Sequence, residues 1–221
     1  MQLWTTRQEA TAHLVQNHAR KLKLIEDLLC VIDACVDAYE QVSDSSAYAR
    51  ICGLTLLKGK NLGLGALSLS LDGLAQEAGA LIRPFIEYVE LLTYFRKFPE
   101  MVERALDGDL PKAGQRARAI DSFYHGFRAH LNEHASHSSY SSFSLGHLID
   151  GRSLKFKKQQ TFTPHVLERN VRDITVQMYF LLREAVLSLE LTQHSDFERI
   201  ATVADELKPH LIDIFDLEFV T

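Results

Sequence analysis

Apolar residues recur at spacings of three and four through most of the 221 residues, and only five prolines and eleven glycines interrupt them. That period belongs to one face of an α-helix; a half-buried strand would alternate at every second residue. The clearest stretch is Ile25, Leu28, Ile32, Cys35, Tyr39 and Val42, whose regular three–four alternation resembles the seam of a helical bundle. A long opening helix is therefore expected over about 6–42, ended by Ser43-Asp44-Ser45-Ser46, which also supplies a cap for the next helix.

That second helix is expected to end near Gly59. Residues 61–71 are ambiguous, because Leu67, Leu69 and Leu71 alternate with serines at period two. No other segment offers a strand to pair with them. Helix is assigned throughout, continuing over Leu71, Leu74, Ala78, Leu81, Ile82, Phe85, Val89 and Leu92 with a bend at Pro84, whose missing N–H removes a backbone bond. Pro99 opens a short helix closed by Asp107-Gly108-Asp109. The next helix starts near Lys112 and carries Ala117, Ile120, Tyr124, Phe127, Leu131 and His134 on one face, fraying into the serines of 136–144. Residues 145–162 form an irregular basic loop. Thr163-Pro164 combines a capping hydroxyl with proline at the first helical position, opening a helix that packs through Leu167, Val171, Ile174, Met178, Leu181, Ala185 and Leu189. A capping box from Ser195 to Glu198 starts a last pair of short helices divided near Pro209. The expectation is one all-α domain over 1–221, a bundle of about five to seven helices with long first, central and C-terminal-half members.

Hydrophobic residues at 46% and charged residues at 24% suit a globular core. A net charge of −5 provides no general attraction to nucleic acid or anionic membranes, so such binding would need a local basic patch. Lys58, Lys60, Asp72, Arg83 and Glu87 interrupt the best apolar runs, and Arg7, Glu9, His13 and His18 break up the first twenty residues. Neither a membrane span nor a secretory leader is expected. The three cysteines, Cys30, Cys35 and Cys52, form no Cys-x-x-Cys pair, and a reduced, cytoplasmic state is expected.

Three groups of residues could carry chemistry. His130, His134 and His137 fall within roughly 60° of one helical face, together with Phe123, Phe127 and Leu131 on the side expected to be buried. Such a triplet could bind a divalent metal, although no strict motif supplies a further ligand; it could equally consist of hydrogen-bonded core groups. Arg83, Glu87 and Glu90 share a narrow stripe with Gln76 and Tyr94 on an otherwise apolar helix. This is either an exposed edge with an Arg83–Glu87 pair or a cleft facing the histidines. Arg152, Lys155, Lys157 and Lys158 surround Phe156 and could grip phosphates or remain a solvated loop. No phosphate-binding glycine loop, His-Glu-x-x-His, Gly-x-Ser-x-Gly or dinucleotide fingerprint occurs.

Two resemblances rest on these residues. Leu81-Ile82-Arg83-Pro84-Phe85-Ile86-Glu87, with Tyr124 and Leu131-Asn-Glu-His-Ala-Ser-His137, resembles a bacterial all-helical family of unknown function, in which an Arg-x-x-x-Glu accompanies a later helix-end histidine. It covers roughly residues 65–185 and singles out Arg83, Glu87 and His137. Arg128-Ala-His-Leu-Asn-Glu-His134 is similar to the arginine-to-histidine motif of the HEPN superfamily of helical bundles, many of them metal-independent ribonucleases of toxin–antitoxin and phage-defence systems. Ala129 departs from the polar residue often found there, and Arg128 lies about 120° from His134 on a regular helix. What the resemblances imply is an RNA-acting protein with Arg83, Glu87, Arg128, His134 and His137 as catalytic candidates and no cofactor. The alternatives are a non-catalytic interaction protein, homodimeric through its first helix, and a metal-binding bundle holding an ion at His130, His134 and His137.

Overall fold

The computed structural model describes residues 2–134, 148–150, 153–157 and 163–217, and among these the protein is an all-α bundle. Helix α1 (Gln2–Asn17) is followed by α2 (Ala19–Val42), α3 (Ala47–Leu71) and α4 (Ala75–Lys97). Two short helices, α5 (Met101–Leu106) and α6 (Ala113–Ala119), lead to α7 (His125–His134), and the described chain ends with α8 (Pro164–Leu189) and α9 (Phe197–Phe215). The centre is built from α2, α3, α4 and α8. Helix α9 covers α2 and α8, α1 lies across α2, α3 and α8, and α6 and α7 dock on α4.

The three–four stripe of α2 is spent on this core. Ile25, Leu28, Ile32, Cys35 and Tyr39 are all buried, each such apolar side chain contributing about 1.5–3 kcal/mol of transfer free energy. The Tyr39 hydroxyl donates to the carbonyl of Ala185 at 2.7 Å, so this buried polar group is satisfied. A homodimer therefore cannot form through that stripe without opening the fold. Cys35 and Cys52 are buried free thiols, both pushed up to about 12 by loss of hydration, whereas Cys30 is exposed.

The ambiguous 61–71 segment is helix, the second half of α3. Its glycines explain why the pattern looks weak. A Cβ on Gly59 would meet the Leu181 methyls at 2.8 Å, and one on Gly63 would meet Met178 Cγ at 3.2 Å. Close approach of α8 thus needs small residues there, where longer apolar ones would have marked the helical period. The α3–α4 connection is a Schellman turn, with Gly73 at φ 78, its N–H on Ser70 O, and Leu74 N–H on Leu69 O.

Several expected boundaries move. The long opening helix is broken at His18 into α1 and α2, and the expected 112–134 helix is broken between α6 and α7. The second break is another Schellman turn: Asp121 takes φ 54, with Asp121 N–H on Arg118 O and Ser122 N–H on Ala117 O. Neither His18 nor Asp121 is a glycine or proline, so the usual punctuation is missing. Conversely, α9 runs continuously through Pro209, where a division was expected, while α4 continues through Pro84 as expected. Nine helices among the described residues replace the expected five to seven. Ser46 caps α3 as expected, accepting from Ala49 N–H at 3.1 Å. Thr163 and the Ser195–Glu198 box form no side-chain cap; the chain before α9 is instead held by His194, whose Nδ1 accepts from Asp196 N–H at 3.1 Å while Nε2 faces Gln41 at 3.0 Å. No helix among the described residues is long and apolar enough to cross a membrane.

Candidate functional site

Helix α4 carries Arg83, Glu87 and Glu90 at spacings of four and three, one polar stripe on a helix otherwise occupied with the core. Helix α7 packs against this stripe and brings Arg128 onto it. Arg128 Nη1 donates to Glu90 Oε2 at 2.5 Å, and Nη2 lies 3.6 Å from Glu87 Oε1. The same Glu87 oxygen lies 3.5 Å from Arg83 Nη2, so one carboxylate bridges two guanidinium groups. The Asp121 turn adds Ser122, whose hydroxyl donates to Glu90 Oε1 at 2.6 Å and accepts from Tyr124 N–H at 3.2 Å. Lys97 holds that turn by donating to Ile120 O at 2.9 Å, and Tyr124 ties α7 to α8 by donating to Gln177 Oε1 at 2.6 Å.

Glu90 is 3% exposed and Arg128 12%, so this pair is largely removed from water. Burial raises the pKa of Glu90; the Ser122 hydrogen bond and the charge of Arg128 pull it back without cancelling the shift. Arg116 of α6 joins the same electrostatic group. Burial lowers its pKa while the charges of Glu87 and Glu90 oppose the change, and its Nη1 donates to Pro111 O at 2.5 Å. With both carboxylates ionised, three arginines face two glutamates. Arg83 is held only by the long contact to Glu87, and its buried Nε has no hydrogen-bond partner among the described residues. Among the described residues the cluster thus has one positive charge in excess and a guanidinium with unused donors, which suits an oxyanion.

Of the sequence-predicted residues, Arg83, Glu87 and Arg128 meet here, although Arg128 does so by facing α4. His130 and His134 belong to α7, but their side chains lie outside the described residues, as do His137, Arg152 and Lys158 entirely. Phe123 and Phe127, expected on the buried side, are 71% and 37% exposed, whereas Leu131 is buried. The Asp121 turn resets the phase between Ile120 and α7, so the extrapolated face is wrong at those two positions. Lys155 and Lys157 are exposed on a tight turn, where Lys157 N–H donates to Leu148 O at 2.8 Å and Lys155 O accepts from Asp150 N–H at 2.9 Å.

Sequence reasoning missed Ser122 and Arg116, which enter through that turn. It also missed a second polar group, formed by His13, His18 and Glu168. His13 comes from the last turn of α1, His18 from the α1–α2 break, and Glu168 from the first turns of α8. On an unbroken helix His13 and His18 would point about 140° apart, so only the break brings them together. No family model, curated protein or solved structure matches the chain.

Proposed function

We propose that the protein acts on RNA phosphodiesters in the manner of a HEPN-like ribonuclease, with the Arg83–Glu87–Glu90–Arg128 cluster as its phosphate-recognition element. The observation that carries this reading is Arg83, whose buried Nε has no partner among the described residues, beside a group that carries one excess positive charge among them. Arg128, the arginine of the Arg128–His134 spacing, stands in the same group, at the base of the helix that leads to His134.

In the proposed reaction the ribose 2′-oxygen gives its proton to His134 and attacks phosphorus. Charge accumulates on the equatorial oxygens, where Arg83 stabilises it. The 5′-oxygen leaves with a proton from His137, yielding a cyclic 2′,3′-phosphate and a free 5′-hydroxyl. Glu87 and Glu90 hold the guanidinium planes in place. Lys155 and Lys157, on an exposed turn, would supply contacts along the strand, joined by Arg152 and Lys158.

The test is cleavage of single-stranded RNA by purified protein. His134→Ala and His137→Ala are each expected to lose about 10²–10⁴-fold, the usual worth of a general acid or base. Cleavage unchanged in both variants, or absent in the unmodified protein, would sink the reading.

A second reading is a homodimer that works by interaction. Trp4 and Val15 of α1 are 60% and 56% exposed, and eleven residues apart they share one helical face. Light scattering on Trp4→Lys separates the two readings: loss of a dimer favours interaction, and a monomer in both proteins removes it.

A further inference from the structure

We infer that His13, His18 and Glu168 form a binding site for one first-row divalent transition-metal ion, with zinc the best match. This inference is independent of the RNA reading and concerns a different part of the bundle. Glu168 precedes Gln177, the α8 contact of the arginine cluster, by two and a half helical turns, about 13 Å.

The geometry is already that of a ligand set. One potential donor atom from each residue lies within 4.8 Å of the others. His13 Nε2 is 3.3 Å and His18 Nε2 3.0 Å from the same Glu168 oxygen, Oε1. Tetrahedral zinc with bonds of about 2.0–2.2 Å sets neighbouring ligand atoms about 3.3–3.6 Å apart. The His13 contact has the length of an edge of such a polyhedron, and the His18 contact would lengthen by about 0.3–0.6 Å on binding. The two imidazoles meet edge to face, with centroids 5.3 Å apart and planes at 64°.

The backbone seats them for this. His18 N–H still donates to Leu14 O at 2.8 Å, closing α1, while His18 O accepts from Lys21 and Leu22 N–H at 2.9 and 3.2 Å, opening α2. At φ −137 and ψ 35 the residue is outside either helix, and its ring turns back toward His13. Its Nε2 is buried yet makes no aligned hydrogen bond, although it lies close to Glu168. A buried ring nitrogen beside a carboxylate without a proper hydrogen bond is what a metal would satisfy.

The surroundings fit the same chemistry. Lys21 Nζ sits 3.6 Å from Glu168 Oε2, occupying the second oxygen and leaving Oε1 as a single ligand. Asn17 Nδ2 lies 3.2 Å from His13 Nδ1. The same Nδ2 donates to His13 O at 3.0 Å, which anchors the amide beside the ring. Glu168 and Lys21 also line a cleft of about 340 Å³ with His165, Arg169 and Phe215. Three protein ligands leave coordination positions for water, as in open rather than closed zinc sites.

Cobalt and zinc titrations of protein stripped with EDTA test the assignment. The unmodified chain is expected to bind one equivalent of Co²⁺ with a visible d–d spectrum, abolished by one equivalent of Zn²⁺. His13→Gln and His18→Gln, each checked for helicity by circular dichroism, should each lose at least tenfold in affinity, while His165→Gln, on the cleft wall, should bind normally. Absence of stoichiometric binding by the unmodified protein overturns the site whatever the variants do. Binding that survives in both folded histidine variants overturns it equally, and would move the metal to the α7 histidines.

Discussion

Arg128 and Glu90 come from different helices and form a short hydrogen-bonded ion pair with almost no access to water. Such a pair does little for stability relative to an apolar substitute, but its two halves are expensive to separate. Arg128→Ala leaves Glu90 with only Ser122, and a loss of about 3–5 kcal/mol is expected in urea unfolding. The double variant Arg128→Met, Glu90→Leu should lose much less. Equal losses in the single and double variants would show that Glu90 finds another partner.

The pH dependence of stability should separate the two clusters, because their glutamates shift in opposite directions. Burial raises Glu90 above 4.5. The folded state then binds its proton more tightly than the unfolded chain, so its contribution is fully present below 4.5 and is lost as pH rises through the folded value. For Glu168, burial also pushes upward, but the His18 and His13 ring nitrogens beside Oε1 and the positive charge of Lys21 outweigh it and hold the group below 4.5. Its contribution is present above 4.5 and is lost as pH falls through the lowered value. Over the range from about pH 3 to 7, Glu90→Gln should gain on the unmodified protein as pH rises, and Glu168→Gln should fall behind it. Parallel stability curves would refute the assignment.

Tyr124→Phe tests the link between α7 and α8. The substitution leaves Gln177 Oε1 unpaired at a buried position, and a loss of about 1–3 kcal/mol is expected by thermal or chemical unfolding. Adding Gln177→Leu should restore part of it, since replacing both partners removes the unsatisfied group.

Gly53→Ala should destabilise despite the better helix propensity of alanine. The new Cβ would lie 2.9 Å from Tyr39 Cβ, an atom fixed to the backbone of α2. Overpacking of this kind costs about 1–3 kcal/mol, against a propensity gain of about 1 kcal/mol. A raised melting temperature would show that α2 and α3 can separate at no cost.

The bundle was legible because its core follows a simple period: the α2 and α8 stripes named from spacing are buried, apart from half-buried Val42. The Arg83–Glu87 stripe was also legible, since charges stand out on an apolar helix. What spacing could not reveal was anything that depends on a break. Asp121 adopts the left-handed conformation without being glycine, so Ser122, Arg116 and the true orientation of Phe123 and Phe127 were hidden. His18 ends one helix and begins another with no proline or glycine, so its meeting with His13 was hidden too. Prolines misled in the other direction at Pro209, where α9 continues.

The α1–α2 break also makes α1 a clasp with its own small footing. Ala10 and Leu14 pack with Ile25, Leu167 and Val171 in a cluster separate from the main core, and Arg7 grips Asp72 with both Nε and Nη2. Because this cluster is separate from the main core, opening of α1 about His18 would leave Tyr39, Phe85 and Phe95 packed. Amide hydrogens of α1 should therefore exchange as a block ahead of those in α2, α3 and α8. A metal at His13, His18 and Glu168 would lock the clasp shut and bring α1 exchange down toward the rate of the core.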